Sequence, residues 1–484
     1  MSAVTATMDE TGAAENDRVE RALVDASVRG PVLYLYFSAL SWLIVATILG
    51  FLSSMQLHDP TFFEGLSWLS YGRTFPTYNN VLAYGWVVLA GMGTAIWMVA
   101  RLCRVAIRSA ATLVCGTALW NLGVLVGAVG ILAGKSTGIE WLEFPAAASV
   151  MLFAGFLLMG GWILAMFAKR RPGPLYLSMW YLVGAVLWFG WAYGSANWML
   201  RFGGLQGAVQ ALVGAWYGQM FQWMIVPAFG LAIIYYFVPK VSGQRVFSYH
   251  LASLGFWSFA AIAVWTGSRK LAGGAVPAWV PTVGISAMIL MLIPAATVAA
   301  NFAFTLKGRF GLVNSSPTLR FVMVGAVGYT LAAWVGAAIS LRSVASLTQM
   351  SHAWTGETHL LLYAFASMAL FGSMYYIVPR LTGCEWFSSN LIRVHFWGAA
   401  YGIGMVAVLM LIGGAVQGGA WFAESPNPIL AWEKTQPFLI GRSIGWVLLL
   451  FAHITFAMHF GLMLIRLGRP AGDPTLFHHA EVRP

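Results

Sequence analysis

The sequence predicts an all-α integral membrane protein built as a bundle of about twelve transmembrane helices. Three observations predict it. Hydrophobic residues make up 59% of the 484 residues and charged residues only 9%, where a soluble chain of this size carries about a quarter charged residues. Mean hydropathy is +0.75. Windows of roughly 20 apolar residues, the length that crosses a bilayer as a helix, recur along almost the whole chain. In lipid a helix satisfies its own backbone groups. Barrel strands would alternate over about ten residues, and these runs are longer and uniformly apolar.

The spans fall at roughly 32–54, 79–100, 110–134, 145–168, 175–197, 212–238, 248–268, 280–305, 319–341, 358–378, 391–416 and 439–465. Lys and Arg orient them, because short cytoplasmic loops are enriched in both. Loops after even-numbered spans carry Arg101, Arg104 and Arg108, then Lys169, Arg170 and Arg171, then Lys240, Arg245, Lys307, Arg309, Arg380, Arg466 and Arg469. Loops after odd-numbered spans are poorer: Arg73, Lys135, Arg201, Arg269, Lys270, Arg342 and Lys434. The bias places both termini in the cytoplasm, which agrees with an even span count. The net charge of +11 is then a positive-inside signature and implies no nucleic acid.

The expected organisation is a cytoplasmic N-terminal tail at 1–31, a twelve-helix membrane domain at 32–466 and a cytoplasmic C-terminal tail at 467–484. The first tail is acidic (Asp9, Glu10, Glu15, Asp17, Glu20, Asp25) and lacks the pattern of a cleaved signal peptide. It reads as mobile, with a short surface helix at 16–29. His478 and His479 in the second tail read as a solvated pair, since a metal site needs three or four ligands. Cys103, Cys115 and Cys384 show no paired spacing, so neither a disulfide framework nor covalent haem attachment is implied. No phosphate-binding glycine loop is present.

Two stretches nearly repeat: "YYFVPK" at 235–240 and "YYIVPR" at 375–380. Each closes a long span, the sixth and the tenth, with proline expected to stop the helix and the tyrosines expected at the headgroups. Sixteen residues upstream stand Gln219 and His359. At about 1.5 Å per residue that is ~24 Å, so the two lie at similar depth toward the outer side on different helices. Matched depth on separate helices is what gripping a haem iron from opposite faces requires.

At this point the chain resembles subunit I of the C-type, or cbb₃-type, haem–copper cytochrome c oxidases. The resemblance runs through "SSMQLHDP", "YGRTFPTYNN", "AWYGQMFQW…YYFVPK", "VFSYHLASLGFW", "THLLLYAF…YYIVPRLTG" and "VHFWGAAYGIG", in order and spacing. It implies twelve helices in three arcs of four. It also implies a low-spin haem b, a high-spin haem b and a copper ion that reduce oxygen with electrons from cytochrome c.

The ligand positions that the resemblance implies are mostly replaced. Tyr78 stands where a low-spin haem histidine is expected, and Gln219 where a copper histidine is expected. Arg269 and Lys270 replace a copper histidine pair, and Ala263 the tyrosine before it. Glu357 replaces the high-spin haem histidine. His359 alone remains, at the low-spin haem position. Glutamine is a poor copper ligand, and cations cannot coordinate copper. Each cation is costly in a membrane unless it meets water or a partner. Glu357 is the one acid expected at that depth. It therefore either pairs with Arg269 or Lys270, or all three lie in solvent just outside the bilayer.

No copper is expected, and at most one haem b, through His359 with Tyr78 as its candidate partner; the alternative for His359 is a hydrogen-bonded bundle residue. His453 and His459 read as structural, His250 and His395 as packing residues, and His58 and His352 as solvated. The leading expectation is a component of a respiratory complex in a bacterial-type inner membrane, with a degenerate oxygen-reducing site. Other membrane or cytochrome c-type subunits would be its partners. The alternatives are a working terminal oxidase with rebuilt ligation, and an ion or small-molecule transporter reusing the bundle.

Overall fold

A computed structural model describes residues 2–422 and 427–468, with side chains described at 17 and from 19 onward. Twelve long helices follow one another: α1 (Ser2–His58), α2 (Tyr71–Cys103), α3 (Ala111–Leu132), α4 (Ala146–Ala168), α5 (Leu177–Arg201) and α6 (Gly207–Ser242); then α7 (Tyr249–Leu271), α8 (Trp279–Thr305), α9 (Pro317–Ser340), α10 (Ala353–Thr382), α11 (Ser389–Trp421) and α12 (Pro428–Leu464). Among the described residues there is no strand. Among the described residues, eleven helices are long and apolar enough to cross a membrane. The twelfth, α5, is 25 residues long; its Ser178, Ser195 and Asn197 lower its hydropathy without shortening it. The protein is a multi-pass membrane protein.

The bundle is layered around three helices. The most apolar stretches of α2 and α10 are wholly buried, and that of α6 nearly so. A helix apolar all round belongs inside a bundle. Helices such as α4, α7 and α11 bury one face and leave Leu157, Trp257 and Tyr401 exposed on the other, as a lipid-facing helix does.

Local chemistry sets several ends. Ser248, Ser316 and Ser388 each accept a hydrogen bond from a backbone N–H three residues on, and Asn427 accepts from Ile429 and Leu430. These caps satisfy donors that the helix start leaves unpaired. The near-repeat behaves differently from expectation. Pro239 and Pro379 lie inside their helices, which end at Gly243 and Gly383 in left-handed conformation, φ 66° and 73°. Glycine adopts that conformation without a Cβ penalty, so it supplies the stop. Tyr235 and Tyr375 are buried, not interfacial; the Tyr375 hydroxyl is 2.8 Å from His395 Nδ1.

No boundary separates a tail from α1 near residue 31. The helix runs on from Ser2, in place of the expected short helix at 16–29. Its acids meet the basic loops: Arg104 reaches Asp17 and Glu20, both at 2.9 Å, and Arg171 reaches Glu20 at 2.5 Å. Trp97 Nε1 donates to Asp25 Oδ1 at 3.1 Å. Residues 17–30, read from sequence as mobile, are thus helical and ion-paired. His478, His479 and nearly all of the 467–484 segment lie outside the described residues.

Candidate functional site: a buried ion pair and a tyrosine–histidine contact

The three central helices share an irregularity. π-helical turns occupy Val81–Val88 in α2, Phe221–Ile225 in α6 and Leu360–Ser367 in α10. They begin just after Tyr78, Gln219 and His359. Such turns are rare and cluster at functional sites. A further tightening, the 3₁₀ stretch Ala263–Leu271, ends α7 and carries Arg269 and Lys270. Ala263 opens that stretch, buried and without polar chemistry.

Arg269 is the centre of the first cluster, its side chain fully buried. Its Nη2 donates to Glu357 Oε1 at 2.6 Å and to Gln219 Oε1 at 2.9 Å, and its Nε to the same Gln219 oxygen at 3.1 Å. Its Nη1 donates to Gly336 O at 3.1 Å and Ser340 Oγ at 2.9 Å. The guanidinium lies 4.6 Å from the Trp354 ring centre, a cation–π distance. Gly336 makes the pair possible: a Cβ there would stand 2.6 Å from Glu357 Oε1. Gln219, Arg269 and Glu357 are therefore brought together, and the solvent reading fails for Arg269 and Glu357. Lys270 does not join them. It turns outward to Glu140 at 2.5 Å, and both partners keep solvent contact.

The second cluster is Tyr78 and His359. His359 Nδ1–H donates to Thr355 O at 2.6 Å. That fixes the tautomer with Nε2 as acceptor, and the Tyr78 hydroxyl donates to it at 3.1 Å. The two rings are near-parallel at 17°, and Trp446 packs edge-on against both.

The groups that the resemblance implies each demand a ligand geometry of these residues. A metal–imidazole bond is about 2 Å, so an iron between His359 and Tyr78 needs its two ligand atoms about 4 Å apart. At 3.1 Å they hydrogen-bond directly, and the pair does not fit a haem between them. At the copper position the Gln219 oxygen already accepts two Arg269 donors, and a guanidinium stands among the aligned residues. At the high-spin haem position Glu357 Oε1 is engaged by the same cation. Neither place fits its metal. Among the described residues no three of His, Cys, Asp and Glu converge as a metal site.

Other histidines are accounted for by neighbours. His453 Nδ1 meets Thr47 Oγ1 at 2.8 Å, and His459 Nε2 accepts from Ser388 N at 3.2 Å. His250 is exposed at the start of α7. His58 and His352, expected in solvent, are half-buried; His58 Nε2 lies 3.0 Å from Ser443 Oγ. Burial, with Arg442 nearby, pushes His352 down to about 4.

Sequence reasoning missed three residues. Glu140 and Glu143, in the loop between α3 and α4, fold back onto the bundle, so Glu357 is not the one acid at this level. Glu143 is buried; its Oε2 accepts from Asn80 Nδ2 at 2.7 Å. Burial pushes its carboxyl up to about 8, against the Asn80 hydrogen bond. Arg442 in α12 is fully buried, and its Nε, Nη1 and Nη2 have no partner among the described residues. Its signal was in the sequence: it is a lone charge inside an apolar span, and such a residue marks a site by default.

Comparisons with known proteins agree with the fold. The family model described as Cytochrome C and Quinol oxidase polypeptide I matches residues 31–448. A cytochrome c oxidase subunit 1 homolog, bacteroid, of Bradyrhizobium diazoefficiens is 27% identical over 460 residues, covering 91% of this chain and 82% of its own. The cbb3-type cytochrome c oxidase subunit CcoN1 of Stutzerimonas stutzeri is 27% identical over 420 residues, covering 84% and 88%. Among solved structures, a heme-copper terminal oxidase dimer superposes with TM-score 0.69 at 16% identity, over 95% of this chain and 86% of that one.

Proposed function

We propose that this chain, which belongs to the cytochrome c and quinol oxidase polypeptide I family and is similar to a cbb3-type member, is a respiratory-complex component whose oxygen-reducing site is degenerate. One observation carries the reading: Arg269, held by Gln219 and Glu357, stands where the family's copper ligands are expected. A cation with permanent charge cannot coordinate a metal, and its carboxylate partner is the residue at the high-spin haem position. The Tyr78–His359 hydrogen bond supports the same reading for the low-spin haem. The chain then works through its bundle, as a membrane scaffold for other membrane or cytochrome c-type subunits. The Lys and Arg bias puts both termini on the cytoplasmic side of a bacterial inner membrane.

The test is the content and turnover of the purified chain. A pyridine haemochrome spectrum, metal analysis and cyanide-sensitive oxygen uptake with reduced cytochrome c are expected to give no stoichiometric haem, copper only at trace and no uptake. Stoichiometric copper with cyanide-sensitive uptake would overturn the reading in favour of a working oxidase with rebuilt ligation. One haem lost on His359→Ala would overturn the low-spin part alone.

A further inference from the structure

The end of the bundle that the Lys and Arg bias assigns to the cytoplasm carries two kinds of arginine. Beside α1 they are neutralised. Arg101 lies 3.5 Å from Asp25, Arg104 lies 2.9 Å from both Asp17 and Glu20, and Arg171 lies 2.5 Å from Glu20. Arg320 and Arg393, near the starts of α9 and α11, are not. Among the described residues neither meets a carboxylate. The Arg320 guanidinium lies 5.4 Å from the Phe396 ring centre, and its Nε and Nη2 donate only to the backbone carbonyls of Val313 and Asn314. Arg393 is exposed, three residues before Phe396 on α11. The two cations therefore flank one ring, and each feels the other's charge. Like charges at the edge of a low-dielectric slab repel, and an anion between them turns that repulsion into attraction.

We infer that Arg320 and Arg393 form the headgroup site of an anionic phospholipid of the cytoplasmic leaflet, phosphatidylglycerol being its simplest form. An apolar continuation selects a lipid over a free phosphate. Trp397 and Tyr401 follow Arg393 at four-residue steps on the outer face of α11, 51% and 61% exposed, their rings stacked at 5.4 Å and 22°. Each step rises ~6 Å, so the rings lie ~6 and ~12 Å deeper than Arg393, beside the glycerol and the first acyl carbons. Indole and phenol rings favour that level, where one end is apolar and the other wet. The guanidinium forks suit the paired oxygens of a phosphodiester, and their apolar stems let them reach the headgroup from the side of a helix. The inference stands apart from the functional reading above: a scaffold, an oxidase or a transporter could each hold this lipid.

The experiment uses the full chain in detergent, offered equal amounts of phosphatidylglycerol and phosphatidylcholine with the same acyl chains, and counts retained lipid by native mass spectrometry. The wild type is expected to retain phosphatidylglycerol in preference to phosphatidylcholine, and to melt higher with the former. A basic residue near an anionic surface contributes about 1 kcal/mol, so Arg320→Gln and Arg393→Gln are each expected to weaken phosphatidylglycerol binding about fivefold. Lys307→Gln, an exposed cation on the same side, is expected to leave it unchanged. Arg393 makes no hydrogen bond among the described residues, so its variant is expected to fold, and the wild-type preference needs no variant. Equal retention of the two lipids by the wild type would overturn the inference, as would undiminished phosphatidylglycerol binding in folded Arg320→Gln and Arg393→Gln. An equal loss in Lys307→Gln would overturn it by showing a diffuse attraction to the whole face. The same rise in melting temperature with glycerol 3-phosphate alone would overturn it by showing that a free phosphate fills the place.

Discussion

Arg269 and Arg442 are two buried arginines solved in opposite ways. The first sits on a 3₁₀ stretch that aims it at acceptors from three other helices, and a glycine at 336 leaves room for the carboxylate. The second sits on a regular helix among tyrosines and histidines and finds no acceptor. The difference teaches that burial alone says nothing of a charge's role. A paired cation has its charge balanced by a neighbouring carboxylate, whereas the other is held with no acceptor among the described residues.

The sharpest way to break the comparison is to make Arg269 resemble Arg442. Glu357→Gln leaves the Arg269 charge buried without its anion. Breaking a buried pair from one side destabilises by about 3–5 kcal/mol, so a large fall in thermal stability is expected. The double variant Arg269→Met with Glu357→Leu removes both charges. Such replacements are neutral or stabilising by about 1–4 kcal/mol, and the double variant is expected to melt near or above the wild type. A single Glu357→Gln as stable as the wild type would show that the pair carries no electrostatic weight. Trp354→Ala is the gentler probe, removing the ring that lies 4.6 Å from the Arg269 guanidinium and 5.6 Å from the Lys270 ammonium, with an expected loss of about 1–2 kcal/mol beyond packing.

Much of this was legible in the sequence, and the failures have physical causes. Twelve spans were readable because a bilayer imposes length and hydropathy on every crossing helix. The pairing of Glu357 with Arg269 was readable because one cost, an isolated charge in lipid, has few remedies. The partner of Lys270 was not, because Glu140 arrives from a loop whose return into the bundle depends on Trp141 at φ 66° stacking on Phe221. Composition does not reveal such a turn. Proline was misjudged as the helix stop because it weakens only a last turn, while the glycines four residues later admit the left-handed conformation. Tyr235 and Tyr375 were misplaced because an interfacial tyrosine and one buried within the bundle, as Tyr375 is against His395, look alike in sequence. The acidic segment 17–30 was misread because its stabilising basic partners lie in distant loops.

A second contrast sets Glu357, paired with a cation, against Glu143, paired with a neutral amide. Glu143 has its carboxyl raised to about 8 by burial, above an unfolded value near 4.5. Between those values the folded state holds a proton that the unfolded state has released. Stability therefore falls as pH rises through the window, by up to ~1.4 kcal/mol per unit. His352, lowered to about 4, works the other way between 4 and 6.5, where stability rises with pH. The two slopes oppose each other up to about 6.5, and the Glu143 slope continues to about 8. Glu143→Gln is expected to flatten the stability profile in that upper range, measured by unfolding at a series of pH values. A variant profile parallel to the wild type would remove Glu143 as its source.

The smallest effect belongs to the pair next door. Lys270 and Glu140 meet at 2.5 Å, yet Glu140 is 46% exposed and Lys270 22%. Exposed pairs contribute about 0–1 kcal/mol, because water already solvates both ions and two long side chains lose rotamer freedom in meeting. Their attraction is also screened at physiological salt. Lys270→Met is therefore expected to shift stability by less than about 1 kcal/mol, with the shift fading at high salt. Arg269→Met, one residue earlier, strands Glu357 and is expected to be severe at every salt concentration, because mobile ions do not reach a buried pair. Comparing the two variants across a salt series separates location from charge: adjacent residues of the same sign, on one 3₁₀ stretch, differ in energy because one meets its carboxylate in contact with water and the other in the buried interior. If Lys270→Met proved as damaging as Arg269→Met, the outward pair would instead be anchoring the 138–145 loop, and Trp141→Ala should then reproduce its effect.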